Sequence, residues 1–310
     1  MTGVVAKSTG NRYLVRVENG QILDCVLKGK IRLEGRKTTN PVAVGDIVDL
    51  EQEENDTVIS RIHPRRNYII RKSINLSKQA QILASNLDQA ILIVTLVAPR
   101  TSLGFIDRFL VTAEAYSIPA KLIFNKADIL DDELSALQQE IIEIYEKVGY
   151  ECVVVSGATG KNLEQVRELL KDKTSLISGH SGVGKSTLIN AIEPGLNLKT
   201  GEISTVHLKG MHTTTFAELH ELSFGGFVID TPGIKELGLV EMKKEEVGHY
   251  FPEIRAVMND CKFNNCLHEN EPKCAVKAAV ERGEISEERY HSYLGILNGE
   301  EMDWEEWEVK

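Results

Sequence analysis

Gly179-His180-Ser181-Gly182-Val183-Gly184-Lys185-Ser186 has the spacing G-x-x-x-x-G-K-[ST]. Glycines so placed let consecutive backbone N–H groups turn inward around phosphate oxygens, and a helix opening at Lys185 adds the positive end of its dipole. In such a loop Lys185 neutralises the terminal phosphates, and the Ser186 hydroxyl is a ligand for Mg2+. The stretch Gly179, His180, Ser181, Gly182, Val183, Gly184, Lys185, Ser186 and Thr187 is therefore the expected cradle of a nucleoside triphosphate. Its surroundings agree with that reading, because Ser175 to Ser178 reads as a strand entering the loop and a helix is expected to leave it.

A phosphate loop does not choose a base. Asn125-Lys126-Ala127-Asp128, directly after an expected strand ending at Phe124, resembles the N-K-x-D element of GTPases. The Asp128 carboxylate can accept hydrogen bonds from both N1–H and the N2 amine of guanine, a pair that adenine does not offer. The alternative is a plain helix cap at Asp128. Ser156-Gly157-Ala158 resembles the S-x-A element, whose backbone approaches guanine O6. Asp230-Thr231-Pro232-Gly233 matches D-x-x-G, with Asp230 holding Mg2+ through water and the Gly233 N–H meeting the terminal phosphate. Ordinary GTPases run from phosphate loop through D-x-x-G to N-K-x-D and S-x-A. Here the last two come first, so the order is that of a circular permutation. One consequence is that the D-x-x-G segment leads directly into the C-terminal part of the chain, where loss of the terminal phosphate can be felt.

A second constellation is Cys261-x4-Cys266-x-His268-x5-Cys274. Three thiolates and one imidazole within fourteen residues are the ligand set of a closed, structural zinc site, with no open position for catalysis. The other reading is a group of free thiols in a reducing compartment. Cys25 and Cys152 fall on expected strands and read as small core residues. With five cysteines so distributed, a disulfide framework is not expected.

These groups must be positioned by three kinds of element. Residues 1 to about 70 read as short alternating strands, Tyr13 to Val17, Ile22 to Leu27, Ile47 to Leu50 and Thr57 to Ile62, punctuated by turn residues. Such a segment suggests a small barrel, with an OB-fold as the leading expectation. From about residue 86, near-continuous apolar strands alternate with helices, the pattern of a parallel sheet covered on both faces. Residues 241 to 310 read as helical and acidic. The expected division is thus an OB-fold over 1–71, a permuted α/β GTPase domain over 72–240 and a mainly α zinc-binding domain over 241–310.

Charge follows the same division. The net charge of -10 is composed of +4 over residues 1–72, -6 over 73–240 and -8 over 241–310, so contact with a polyanion is expected to favour the N-terminal segment. Arg61, Arg65, Arg66, Arg71 and Lys72 either join that basic face or form a solvated linker. The longest largely apolar stretch, Ala90 to Ala98, is too short to cross a bilayer, and no secretory signal is evident. No membrane partner and a cytoplasmic location are expected.

With barrel, permuted motifs and cysteine cluster together, the chain resembles the bacterial ribosome small-subunit-dependent GTPase A family over essentially its whole length. The resemblance implies a factor that binds the 30S ribosomal subunit and its 16S rRNA late in maturation, hydrolyses GTP to GDP there and leaves. It implies one structural Zn2+, Mg2+ bound with GTP, and contacts to RNA from the barrel and the zinc domain. It also places the switch threonine in His212-Thr213-Thr214-Thr215, with Thr214 as the chosen Mg2+ ligand and Thr213 and Thr215 as its alternatives. Many GTPases carry a water-orienting glutamine after D-x-x-G, where this chain has Ile234, so slow intrinsic hydrolysis is expected. His212, whose neutral imidazole can accept from an attacking water, is the expected catalytic partner of Lys185. No heptad repeat argues for an assembly beyond a monomer.

Overall fold

The computed structural model describes residues 1–28, 41–53, 56–72, 80–196, 198, 217–230 and 242–299. The first five strands are β1 (Thr2–Ser8), β2 (Tyr13–Val17), β3 (Ile22–Leu27), β4 (Ile47–Glu53) and β5 (Asp56–Ile62). They close on themselves in the order β1-β2-β3-β5-β4-β1, antiparallel throughout except for the β3–β5 pair. The small barrel expected from the sequence is thus present, and it has five strands. Alternation fills it, since Tyr13, Val15 and Val17 point inward with Val5, Cys25, Val48, Leu50 and Ile59. β1 escaped the sequence reading, yet it closes the barrel by pairing with both β2 and β4. Gly3 permits that closure, because a Cβ there would stand 2.7 Å from the carbonyl oxygen of Arg16.

A two-stranded hairpin, β6 (Tyr68–Lys72) with β7 (Ala80–Ser85), follows the barrel. The segment read as basic face or linker contains neither at Arg65. That guanidinium is 3% exposed and bonds the fully buried Asp46 carboxylate through Nε and Nη2, both at 2.6 Å. Asp46 also accepts from the Ser85 hydroxyl at 2.6 Å and from the Ala43 N–H at 2.8 Å. Arg65 thus ties the barrel to the end of β7, and Arg66 pairs at the surface with Asp88. The basic excess of the barrel is also locally neutralised: Lys7, Arg12, Arg16 and Lys28 each meet a carboxylate.

The second unit is a sheet of β8 (Gln89–Val94), β9 (Ala120–Phe124), β10 (Glu151–Val154), β11 (Thr174–Ser178), β12 (Glu218–Glu221) and β13 (Phe227–Asp230). Its order is β10-β9-β8-β11-β13-β12, parallel except for β12, which meets β1 of the barrel at the Lys7–Glu218 pair. Around it pack α1 (Leu103–Ala115), α2 (Asp132–Lys147), α3 (Leu163–Leu170) and α4 (Lys185–Ile192). The uninterrupted burial of β8 has a period-two explanation. Ala90, Leu92 and Val94 face α1 and α2, whereas Ile91 and Ile93 face α3 and α4. β8 ends at Val94 rather than at the expected Val97, as the chain turns so that Thr101 donates its N–H to the Thr95 carbonyl.

The C-terminal unit consists of α5 (Lys244–Val247), α6 (Pro252–Val257), α7 (Ala275–Glu281) and α8 (Glu287–Asn298). Val247, Phe251, Ile254, Val276, Ala279, Tyr293 and Leu297 form its core, into which α1 inserts Val111. Burial of these side chains supplies the adhesion that short helices lack by themselves.

Candidate functional site

Strands β8, β9, β10, β11 and β13 all run in one direction, so their C-terminal loops gather at one end of the sheet. The loop after β11 is the glycine loop. Gly182 and Gly184 adopt φ of 87° and 90°, a region that favours glycine. Space is as decisive as torsion at Gly184, where a Cβ would stand 2.6 Å from Asn125 Nδ2. Lys185, the first residue of α4, folds back to donate to the carbonyls of Gly179 at 2.7 Å and His180 at 2.8 Å. Its ammonium therefore lies inside the loop. Burial draws the Lys185 pKa below the usual amine range, against the opposing field of Asp230. Burial likewise raises the Asp230 carboxyl above its ordinary range, against Lys185. Asp230 ends β13 in register with Ile177 of β11, which brings the carboxylate to the mouth of the glycine loop.

Asn125 joins three loops. Its Nδ2 donates to the Val183 carbonyl at 2.9 Å, and its Oδ1 accepts from the Gly157 N–H at 3.1 Å. The Ser156 hydroxyl donates to Asp128 Oδ1 at 2.5 Å and accepts from the Thr159 N–H at 3.1 Å. Ser156 is fully buried whereas Asp128 is exposed, so a carboxylate open to a ligand is aimed by a fixed hydroxyl. Gly157 packs on α4, its notional Cβ only 3.1 Å from the Leu188 Cα. Ala158, Ser181 and Thr187 lie exposed around the same cleft, and Val183 is buried beneath it.

Two features had no motif to announce them. The Lys126 ammonium donates to the Ala98 carbonyl, and Pro99 Cδ lies 3.3 Å from where a Gly182 Cβ would be. The loop after β8 therefore forms a side wall of the cleft, and its place after a parallel strand was the available signal. The second feature is Phe105 of α1, whose ring packs against that of His180 at 3.8 Å between centroids, tilted by 31°. His212, Thr213, Thr214, Thr215, Gly233 and Ile234 lie outside the described residues.

The cysteine cluster assembles as its spacing suggested. The ligand atoms of Cys261, Cys266, His268 and Cys274 lie within 4.8 Å of one another. Nδ1 of His268 stands 3.5 Å from Cys261 Sγ and 3.4 Å from Cys274 Sγ, and those two sulfurs are 3.9 Å apart. Four ligands about 2.0–2.3 Å from one tetrahedral ion stand roughly 3.3–3.8 Å apart, so Cys261, His268 and Cys274 are already near that spacing and the group of four could hold such an ion. Backbone N–H groups of Ala275 and Lys277 point at the sulfurs of Cys261 and Cys274, at 3.3 and 3.5 Å. Burial pushes the Cys266 thiol up to about 12, raises the Cys274 thiol and lowers His268. A neutral imidazole is ready to ligate, and a cation is what makes buried thiolates tenable. Helix α8 anchors this loop, since the hydroxyls of Tyr290 and Tyr293 donate to the carbonyls of His268 and Leu267.

Family models place the chain among known proteins. One described as RsgA GTPase matches residues 62–240, and one described as RsgA N-terminal domain matches residues 2–59. Small ribosomal subunit biogenesis GTPase RsgA of Christiangramia forsetii is 57% identical over 308 residues, 98% of each chain. The protein of that name from Bacteroides fragilis strain YCH46 is 53% identical, with 97% of each chain covered. Among solved structures, YjeQ from Thermotoga maritima is 37% identical with a TM-score of 0.79, over 96% of this chain and 97% of its own. YloQ, described as a circularly permuted GTPase, is 32% identical with a TM-score of 0.75, over 96% of this chain and 94% of its own.

Proposed function

The chain belongs to the RsgA GTPase family, and from that premise we propose how its residues divide the work of a GTP-hydrolysing enzyme in small ribosomal subunit biogenesis. The observation that carries the reading is the junction at Asn125, where one side chain fastens the glycine loop to the Ser156–Ala158 loop. Those are the two segments that must be held at a fixed separation if one nucleotide is to be gripped by phosphate and base together.

In this reading the cradle is Gly179, His180, Ser181, Gly182, Val183, Gly184, Lys185, Ser186 and Thr187. Lys185 exchanges the carbonyls of Gly179 and His180 for phosphate oxygens, which are charged and therefore stronger acceptors. Asp128, aimed by Ser156, accepts from the guanine edge, the Lys126 stem covers the ring, and Ala158 offers its backbone N–H to O6. Ser186 and Asp230 supply oxygen ligands suited to Mg2+, joined by Thr214 and with the Gly233 N–H near the terminal phosphate. The ion, when bound, neutralises charge on the reacting phosphates. The Cys261, Cys266, His268 and Cys274 group holds one structural Zn2+.

The partner is the 30S subunit with its 16S rRNA, engaged late in maturation by a single copy of the chain in the cytoplasm; among the described residues no helix is long and apolar enough to cross a membrane. Hydrolysis is stimulated on the particle, where His212 accepts from the attacking water. The test is turnover with no particles, with immature and with mature 30S subunits. Stimulation in wild type that is lost in His212→Ala, with GTP and 30S binding retained, is the expected result. Equal turnover with and without particles would overturn the stimulated reading.

A further inference from the structure

A chain of contacts, half-buried at Phe105 and His180 and fully buried beyond, leads from the phosphate loop to the C-terminal unit. Phe105 packs against His180 at the N-terminal end of α1. Two residues on, Asp107 is 1% exposed and accepts at 2.6 Å from Nη1 of Arg289, itself 1% exposed, on α8. The same guanidinium donates through Nε and Nη2 to the Glu253 carboxylate of α6, at 2.7 and 3.0 Å. Phe251, Tyr145 and Tyr150 surround it, with ring centroids 4.8, 5.6 and 5.7 Å from the guanidinium carbon. The adjoining residue of α8, Tyr290, and Tyr293 one turn on hold the loop of the cysteine cluster.

Nothing in hydrolysis calls for this triad. A pair of ions removed from water returns little net stability, but a broken one is costly, so its partners are held to one arrangement. Asp107 and Val111 turn one face of α1 toward the C-terminal unit, while Ile106, Phe109, Leu110 and Ala113 turn another toward the sheet. The helix is thus gripped from both sides, and its N-terminal end meets the one aromatic side chain of the phosphate loop.

We propose that Phe105 and Arg289 are positioning residues for nucleotide binding: Arg289 sets α1 through Asp107, and α1 sets the phosphate loop through Phe105 and His180. The inference rests on the assignment of Gly179 to Thr187 as the nucleotide cradle. It differs from a route through the D-x-x-G segment because every contact in it lies outside that segment. Coupling of this kind is reciprocal, so nucleotide also tightens the docking of α8.

The test is a double-mutant cycle on GDP affinity, measured by equilibrium binding of a fluorescent GDP analogue with thermal melting in parallel. Arg289→Lys, which loses the fork geometry, and His180→Ala are each expected to weaken GDP by three- to tenfold. Arg289→Lys is expected to cause little further loss in the His180→Ala background. Phe105→Leu should behave as His180→Ala does. Should Arg289→Lys not fold, Asp107→Asn, which leaves Arg289 paired with Glu253 but removes its charged link to α1, takes its place in the cycle. Effects that simply multiply, or an Arg289 variant with wild-type affinity, overturn the coupling. Failure of the wild-type chain to bind GDP at all would instead overturn the cradle assignment beneath it.

Discussion

In the proposed reading, selectivity for guanine comes down to one exposed carboxylate and the buried hydroxyl that aims it. The Asp128 carboxylate accepts from the Ser156 hydroxyl and otherwise faces the cleft, so the two residues have separable effects. Asp128→Asn is expected to weaken GTP and shift preference toward xanthosine triphosphate, since an amide N–H can meet the xanthine O2 where the carboxylate accepted from the guanine amine. Ser156→Ala is expected to weaken GTP by about tenfold, the worth of a hydrogen bond to a charged group, with guanine preference kept. A competition assay among GTP, ATP and xanthosine triphosphate reads both, and an unchanged preference in Asp128→Asn would remove that residue from the base site.

Among the elements, α8 holds the loop of the cysteine cluster by two tyrosine hydroxyls and α1 by an arginine. The two attachments predict different consequences for different lesions. Cys266→Ser removes one ligand from a closed set and should lower bound zinc to below stoichiometric levels, with faster hydrogen exchange over residues 261–274. Turnover at saturating GTP without particles should remain near that of wild type, because no ligand of the cluster reaches the cleft. Elemental analysis with exchange measurements checks this; zinc-free wild-type protein with a protected loop would refute the structural role. The hairpin β6–β7 carries a further lesson about elements. It presents Ser85 to Asp46 of the barrel, so a segment that reads as a connection serves as a brace.

Across the whole molecule, barrel and GTPase unit share a continuous line of strands through β1 and β12. The Arg65–Asp46–Ser85 contacts reinforce that union on another side. Arg65→Met would leave the Asp46 carboxylate buried without its partner, at a cost of about 3–5 kcal/mol. Denaturant unfolding and proteolysis near residue 65 should both register it, and a wild-type midpoint would show that the pair contributes nothing. Electrostatics at this scale bears on the proposed contact with RNA. Because Lys7, Arg12, Arg16 and Lys28 are neutralised by nearby carboxylates, the test of RNA contact turns to other basic residues of the N-terminal segment, among them Lys30, Arg32, Arg36 and Lys37. Replacing these four by alanine should weaken 30S binding and reduce the slope of log affinity against log salt by about 1 for each phosphate no longer neutralised. An unchanged slope would move the RNA-binding face elsewhere.

The sequence by itself determined the chemistry that is contiguous along the chain. A phosphate loop must offer successive N–H groups, and a compact metal group must gather its ligands from a short span, so Gly179 to Ser186 and Cys261 to Cys274 are legible as written. Apolar runs likewise announced the strands of the parallel sheet, and motif order announced the permutation. Tertiary structure alone decided which distant residues share a bond. Asn125 meets the glycine loop across 58 positions, Asp107 meets Arg289 across 182, and Arg65 turns inward where its neighbours suggested solvent. The reason is physical. A local motif is fixed by short-range backbone geometry, whereas a buried ion pair exists only because packing brings two segments together and excludes the water that either charge would otherwise keep.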